Sequence, residues 1–234
     1  MSQLTAANPI DDLTDDQKIA LIICVGLIKG GTGKTTSVIF IAMWFVIAKR
    51  KRVLAIDADA MSQTLYTWYT KLSKAGVNIP FDVVRHHPTD DLGEFLDEKK
   101  HEYDVILVDV GGGDLQAFHE ANKRASLLLM PASPSGFEHS RVQASMKAAE
   151  LAANDHIGNG LAVYVMLVRC DYATTMPGEA RAILTERDDP YPLADNEIQY
   201  LVQYPRAWER LPKIKELDQY GALMRETLEG AGIQ

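Results

Sequence analysis

Residues 29–36 read Lys-Gly-Gly-Thr-Gly-Lys-Thr-Thr, with the apolar run Leu21–Ile28 before them and the apolar run 37–48 after them. Few folds accommodate that order. Glycines at 30, 31 and 33 let the main chain turn with its N–H groups facing inward, and a helix starting at the next residue adds the partial positive charge of its N-terminus. A strand, a glycine turn and a helix in this sequence form a cradle for phosphate. In such a cradle Gly30, Gly31 and Gly33 make the turn, and Thr32 and Thr36 complete the loop around the ligand. Lys34 reaches the β- and γ-phosphates, and Thr35 offers its hydroxyl to Mg²⁺.

The remainder of the chain fits a sheet that could carry such a loop. Apolar runs of strand length, at Val53–Asp57, Phe81–Arg85, Val105–Asp109, Leu127–Pro131, Leu161–Val168 and Ile198–Val202, alternate with segments of helical spacing. That alternation predicts repeated βα units and an α/β fold of the P-loop NTPase kind: a doubly wound, mostly parallel sheet with helices on both faces. The chain has 234 residues, 47% of them apolar and 24% charged, with no linker-like stretch. One domain over residues 19–234 is expected, preceded by a flexible acidic arm, 1–18, that contains Asp11, Asp12, Asp15 and Asp16.

Phosphoryl transfer from the nucleotide, ATP, requires a metal to spread charge and a polar group to orient the attacking water. Two strand ends supply carboxylates. Val53–Asp57 leads to Asp57-Ala58-Asp59, and Val105–Asp109 ends in Asp109, followed by Gly111-Gly112-Gly113. Ligands in open α/β sheets bind at the carboxyl ends of strands, so Asp109 has the form of a Walker B carboxylate contacting Mg²⁺ through water. The three glycines would let a switch loop approach the γ-phosphate.

One departure narrows the reading. The general loop pattern places a glycine five residues before Gly33, where this chain has Ile28, and a second lysine, Lys29, precedes the glycine pair. The form K-G-G-x-G-K-[ST]-[ST] resembles the deviant phosphate loop of the family that contains ParA, MinD and the nitrogenase iron protein, and the resemblance spans roughly residues 19–228. It implies that Lys29 acts in trans, on the phosphates of a partner in a nucleotide-sandwich homodimer. Asp57-Ala58-Asp59 is similar to the family's D-x-D-P-Q switch, which implies a place near the metal for Asp57 and a water-positioning role for Asp59. The Pro-Gln pair is replaced here by Ala60-Met61-Ser62-Gln63. By the same resemblance Arg169 would flank the adenine, and the stretch around Pro205 would read its edge.

Within that family the chain is similar to the short ParA type, which lacks an N-terminal DNA-reading domain. The implied activity is a Mg-dependent DNA-partition ATPase. Its ATP-bound dimer binds DNA without sequence preference, and a small centromere-binding partner stimulates hydrolysis. Net charge is −8, so DNA contact would need a local patch, for which Arg141, Lys147, Arg206, Arg210, Lys213 and Lys215 are candidates. Two isolated cysteines, Cys24 and Cys170, fit neither a bridging cluster nor a disulfide framework. The tail 220–234 lacks the basic amphipathic face of a membrane-docking helix, and no stretch has the roughly 18 apolar residues a spanning helix needs. The expectation is a cytoplasmic protein, nucleoid-associated when ATP is bound, with no membrane partner. The alternatives are a MinD-like positioning regulator and a P-loop enzyme acting on a small metabolite.

Overall fold

A computed structural model describes residues 19–28, 31–134 and 138–233. The acidic arm 1–18, Lys29 and Gly30 lie outside the described residues. Seven strands form one sheet: β1 Leu21–Gly26, β2 Val53–Asp57, β3 Asp82–Arg85, β4 Val105–Val110, β5 Leu127–Ala132, β6 Ala162–Cys170 and β7 Ile198–Gln199. Their order is β3-β2-β4-β1-β5-β6-β7, and every pairing is parallel. This is the P-loop NTPase-like α/β architecture that the strand and helix pattern predicts.

The helices are α1 Lys34–Lys49, α2 Thr64–Lys74, α3 Leu92–Lys99, α4 Leu115–Asn122, α5 Glu138–Asn154, α6 Met176–Thr185, α7 Gln203–Arg206 and α8 Asp218–Gly230. Alternation along each strand sends its side chains to two cores. Ile23, Val25, Val53, Ala55, Leu107 and Leu129 face α1, α2 and α8, where Trp44, Trp68, Phe40 and Tyr220 are among the large buried residues. Ile22, Cys24, Leu54, Ile106, Val108 and Leu128 face α3, α4, α5 and α6. Because both faces are covered, the central strands are apolar throughout and read as continuous runs. Helix α1 has no polar stripe because residues 37–45 are all buried between the sheet and its neighbours.

The sheet fixes where a ligand can sit. The chain leaves β1 toward β2 on one side, whereas β5 pairs with β1 on the other, so the topology reverses at β1 and opens a crevice at its carboxyl end. The phosphate loop and both acidic strand ends converge there.

Two strands stop short of their expected ends by two residues or more. β1 ends at Gly26, not Ile28, because the Ile28 N–H leaves the sheet and donates to Ser145 Oγ on α5 at 2.8 Å. The strand expected at Ile198–Val202 stops at Gln199. There the Leu201 N–H turns back onto the Gln199 carbonyl, and α7 follows. Among the described residues no helix is long and apolar enough to cross a membrane.

Candidate functional site

Gly31 and Gly33 both have φ of +89°, in the left-handed region that glycine enters without the cost a β-carbon incurs. Gly33 is the N-cap of α1. It offers no side chain to the first turn, and the first three residues of the helix include no carboxylate. The helix N-terminus therefore keeps its uncapped amides and positive end for an anion. Lys34 is buried at 6% exposure despite its charge, as a lysine held within the loop would be. A cavity of about 340 Å³ opens here, bounded by the loop, by Asp59, Met61 and Ser62 after β2, by Gly112 after β4, and by Arg169 and Trp208.

Three carboxylates stand at this end of the sheet with different commitments: Asp59 lines the cavity, and Asp57 and Asp109 are buried in the neighbouring strands. Thr35 Oγ1 donates to Asp109 Oδ2 at 2.6 Å, joining the first turn of α1 to the end of β4. Asp109 is 1% exposed, and its Oδ1 has no hydrogen-bond partner among the described residues. Burial pushes the Asp109 carboxyl up to about 7; the Thr35 hydroxyl opposes the shift and the Asp57 charge adds to it. A buried carboxylate with one free oxygen, beside a threonine hydroxyl, fits a hydrated divalent cation, whose charge would return Asp109 to its ionised form. Among the described residues no group of three or more His, Cys, Asp or Glu is arranged to hold a metal by itself. A cation here would be held by Thr35, Asp109 through water, and phosphate oxygens.

Asp57 pairs in register with Asp109 across β2 and β4. Its two oxygens accept from the Asp59 N–H at 3.2 Å and the Tyr66 N–H at 2.8 Å, so it organises the turn into α2. Burial raises its carboxyl above the ordinary range. Asp59 Oδ1 accepts from the N–H groups of Met61 and Ser62 at 3.1 and 3.0 Å, and the carboxylate rests against Gly111.

A second cavity of about 270 Å³ adjoins the first and is lined by Val168, Ile198, Tyr200, Leu201, Tyr204, Pro205 and Tyr220, with Gly33, Thr36, Arg169 and Trp208 shared between the two. Pro205, expected to read the adenine edge, lines this cavity from the short helix α7. Arg169 is at a β6 irregularity with φ of +60°, and its Nη1 donates to the Gly31 carbonyl at 2.9 Å. The residue expected beside the base therefore also braces the phosphate loop. Trp208 and Tyr200 escaped the sequence reading because no motif or periodicity marks them.

A larger cavity, about 690 Å³, lies elsewhere, between α3 and α4. Asp90, Asp91, Glu94, Asp97, Asp114 and Glu120 line it, and that charge repels phosphate. Of the basic residues considered for DNA, Arg210 is bound to Glu216 by contacts of 2.6 and 2.8 Å, which hold the Glu216 carboxyl down at about 2. Arg206, Lys213, Lys215 and Lys147 are exposed.

Comparisons with known proteins bear on the fold and on the family. No curated protein sequence matches the chain. Among solved structures, it is similar to a plasmid partition protein of Borrelia burgdorferi B31 bound to AMPPNP, with TM-score 0.65, 18% identity, and coverage of 90% of this chain and 99% of that one. It is likewise similar to pNOB8 ParA bound to nonspecific DNA, with TM-score 0.64, 19% identity, and coverage of 90% and 98%. A third similarity is to cobyrinic acid a,c-diamide synthase of Mycobacterium smegmatis bound to ADP and magnesium, with TM-score 0.65, 14% identity, and coverage of 83% and 98%. These identities speak to the fold. Family membership rests on a match to the CobQ/CobB/MinD/ParA nucleotide-binding domain over residues 23–226, most of the chain, and the protein belongs to that nucleotide-binding family.

Proposed function

We propose that the chain is a Mg-dependent DNA-partition ATPase of the short ParA type. The observation that carries the ATPase reading is the Thr35–Asp109 hydrogen bond, which joins an uncapped helix N-terminus to a buried carboxylate with one oxygen free. Lys34 and the amides of residues 31–36 bind the phosphates, and the cavity lined by Pro205 and Arg169 takes the adenine. Thr35 and Asp109, with Asp57 behind them, hold the cation. Magnesium, when bound there, spreads the charge that develops on the phosphates. Asp59 orients the attacking water from a turn fixed by its own main-chain bonds. Lys29 acts across a nucleotide-sandwich homodimer.

The partition role is supported by likeness to two partition-type structures, one of them on nonspecific DNA. In the proposed cycle the ATP-bound dimer binds DNA without reading sequence and becomes nucleoid-associated in the cytoplasm, and a small centromere-binding partner stimulates hydrolysis and release. The test is DNA binding measured with ATP, with ADP and without nucleotide. Binding should require ATP, vanish in Lys34→Ala and weaken steeply with salt. Equal binding without ATP, or turnover that depends on a metabolite and ignores DNA, would overturn the partition role. Lys29→Ala should still bind ATP while losing ATP-dependent dimerisation.

A further inference from the structure

The phosphate cavity and the aromatic cavity share four residues, and these define the junction between them. Gly33 and Thr36 form its floor at the start of α1. Arg169 enters from β6, and Trp208 enters from the segment after α7. A nucleoside triphosphate whose phosphates occupy one cavity and whose base occupies the other must pass its sugar through this junction. Among the described residues Trp208 is the one aromatic ring there.

The position of that ring is built in advance. The Trp208 carbonyl accepts from Lys71 Nζ at 3.1 Å, and the preceding carbonyl, of Ala207, accepts from Trp68 Nε1 at 2.7 Å. Trp68 is fully buried in α2, and the Trp208 N–H itself donates to the Pro205 carbonyl at 3.2 Å. The main chain at 207–208 is therefore held from α2 and α7 together, while the indole stays only half-buried at the junction. A large ring on an anchored backbone loses little conformational freedom when a ligand packs on it.

We infer that Trp208 is a nucleoside-binding residue that packs on the sugar and adjoining base of the bound nucleotide and makes the site select a nucleoside triphosphate over a bare polyphosphate. This rests on the nucleotide reading proposed above and assigns one of its determinants. Nothing in the phosphate loop distinguishes ATP from inorganic tripolyphosphate, because the loop contacts only phosphate.

The experiment compares ATP and tripolyphosphate binding, by calorimetry, in the full-length wild type, Trp208→Ala, Trp208→Leu and Trp208→Phe, with thermal melts to establish folding. Packing an aromatic ring on a base is worth roughly a 10- to 100-fold change in affinity. Trp208→Ala should weaken ATP by that factor and leave tripolyphosphate within about 2-fold; Trp208→Phe should restore most of the ATP affinity. ATP should also change the tryptophan emission of the wild type and not that of Trp208→Phe, because Trp44 and Trp68 are buried in the core. If Trp208→Ala and Trp208→Leu bind ATP as the wild type does, the inference fails and the ATPase reading stands. An equal loss of both ligands would show a merely structural role and also overturn it. Should the wild type bind neither ligand, the nucleotide reading itself falls.

Discussion

The Asp59 carboxylate lies so close over Gly111 that a β-carbon at position 111 would overlap it. The turn after β2 and the loop after β4 are therefore fitted face to face, with a glycine as the only residue the contact admits. Met61 extends the fit, since a β-carbon on Gly113 would sit 3.4 Å from its Cγ. Gly111 does not require a left-handed backbone. Its glycine identity comes from this one neighbour.

Gly111→Ala should accordingly push Asp59 aside while leaving the phosphate loop intact. Displacing a water-orienting group by about 1 Å costs on the order of 100-fold in turnover. ATP turnover is expected to fall by that order, with ATP affinity within a few-fold of wild type. Turnover within 2-fold would show that Asp59 has no part in hydrolysis.

Arg169 combines a left-handed backbone with a bond to the Gly31 carbonyl, and two substitutions separate these contributions. Both Arg169→Ala and Arg169→Gly delete the bond and should weaken ATP. Alanine retains the backbone strain and glycine relieves it. Arg169→Gly should therefore be the more stable of the two in urea, by about 1 kcal/mol. Equal stabilities would mean that the chain relaxes out of the left-handed conformation once the arginine is gone.

Glu216 and Arg210 give a pH-dependent contribution whose sign follows from the lowered carboxyl. The Arg210 guanidinium holds the folded Glu216 carboxyl down at about 2, against about 4.5 in the unfolded chain, so the pair stabilises the protein above that range. As pH falls from 5 toward 2, the folded state must take up the proton and the contribution disappears. Half-exposed ion pairs of this kind contribute about 1 kcal/mol at most, even when bidentate. Glu216→Gln should be less stable than wild type by that amount at pH 7, and the gap should close progressively between pH 5 and pH 2. A gap that stays constant with pH would show that packing, not charge, accounts for it.

How much of this was legible in the sequence depends on how local each feature is. β1, β2 and β4 announce themselves because parallel strands covered on both faces are apolar at every position, and the acids that end β2 and β4 then fall at the crevice automatically. The phosphate loop is legible because Gly31, Gly33 and Lys34 are neighbours in the chain. Helix α7 is not: four residues carry no helical period, and Pro205 reads as a breaker although the first turn of a helix accepts it. Trp208 and Tyr220 reach the site only through contacts between segments well over a hundred residues apart, which no local pattern encodes. The double commitment of Asp57 to two main-chain N–H groups is equally invisible, since it depends on how the turn into α2 closes.

Tyr220 illustrates how such a contact can be tested. Its hydroxyl is buried on α8, 2.9 Å from Ser37 Oγ on α1, and Ser37 Oγ is 3.0 Å from the Gly33 carbonyl. Ser37 has one proton, and the Gly33 carbonyl can only accept it, so Tyr220 is the donor to Ser37. Tyr220→Phe removes that donor and leaves Ser37 bonded to Gly33, at a cost of about 1 kcal/mol, or roughly 2–4 °C in a chain of this size. Ser37→Ala removes less of the side chain yet strands the Tyr220 hydroxyl without a partner, which costs about 1–3 kcal/mol. The smaller deletion should therefore be the more damaging one. In the double variant neither hydroxyl remains to be stranded, so its destabilisation should be less than the sum of the two single losses. Additive losses, or a larger loss from Tyr220→Phe, would show that the hydroxyls do not act as a pair and that the C-terminal helix is held to the phosphate-loop helix by its apolar contacts alone.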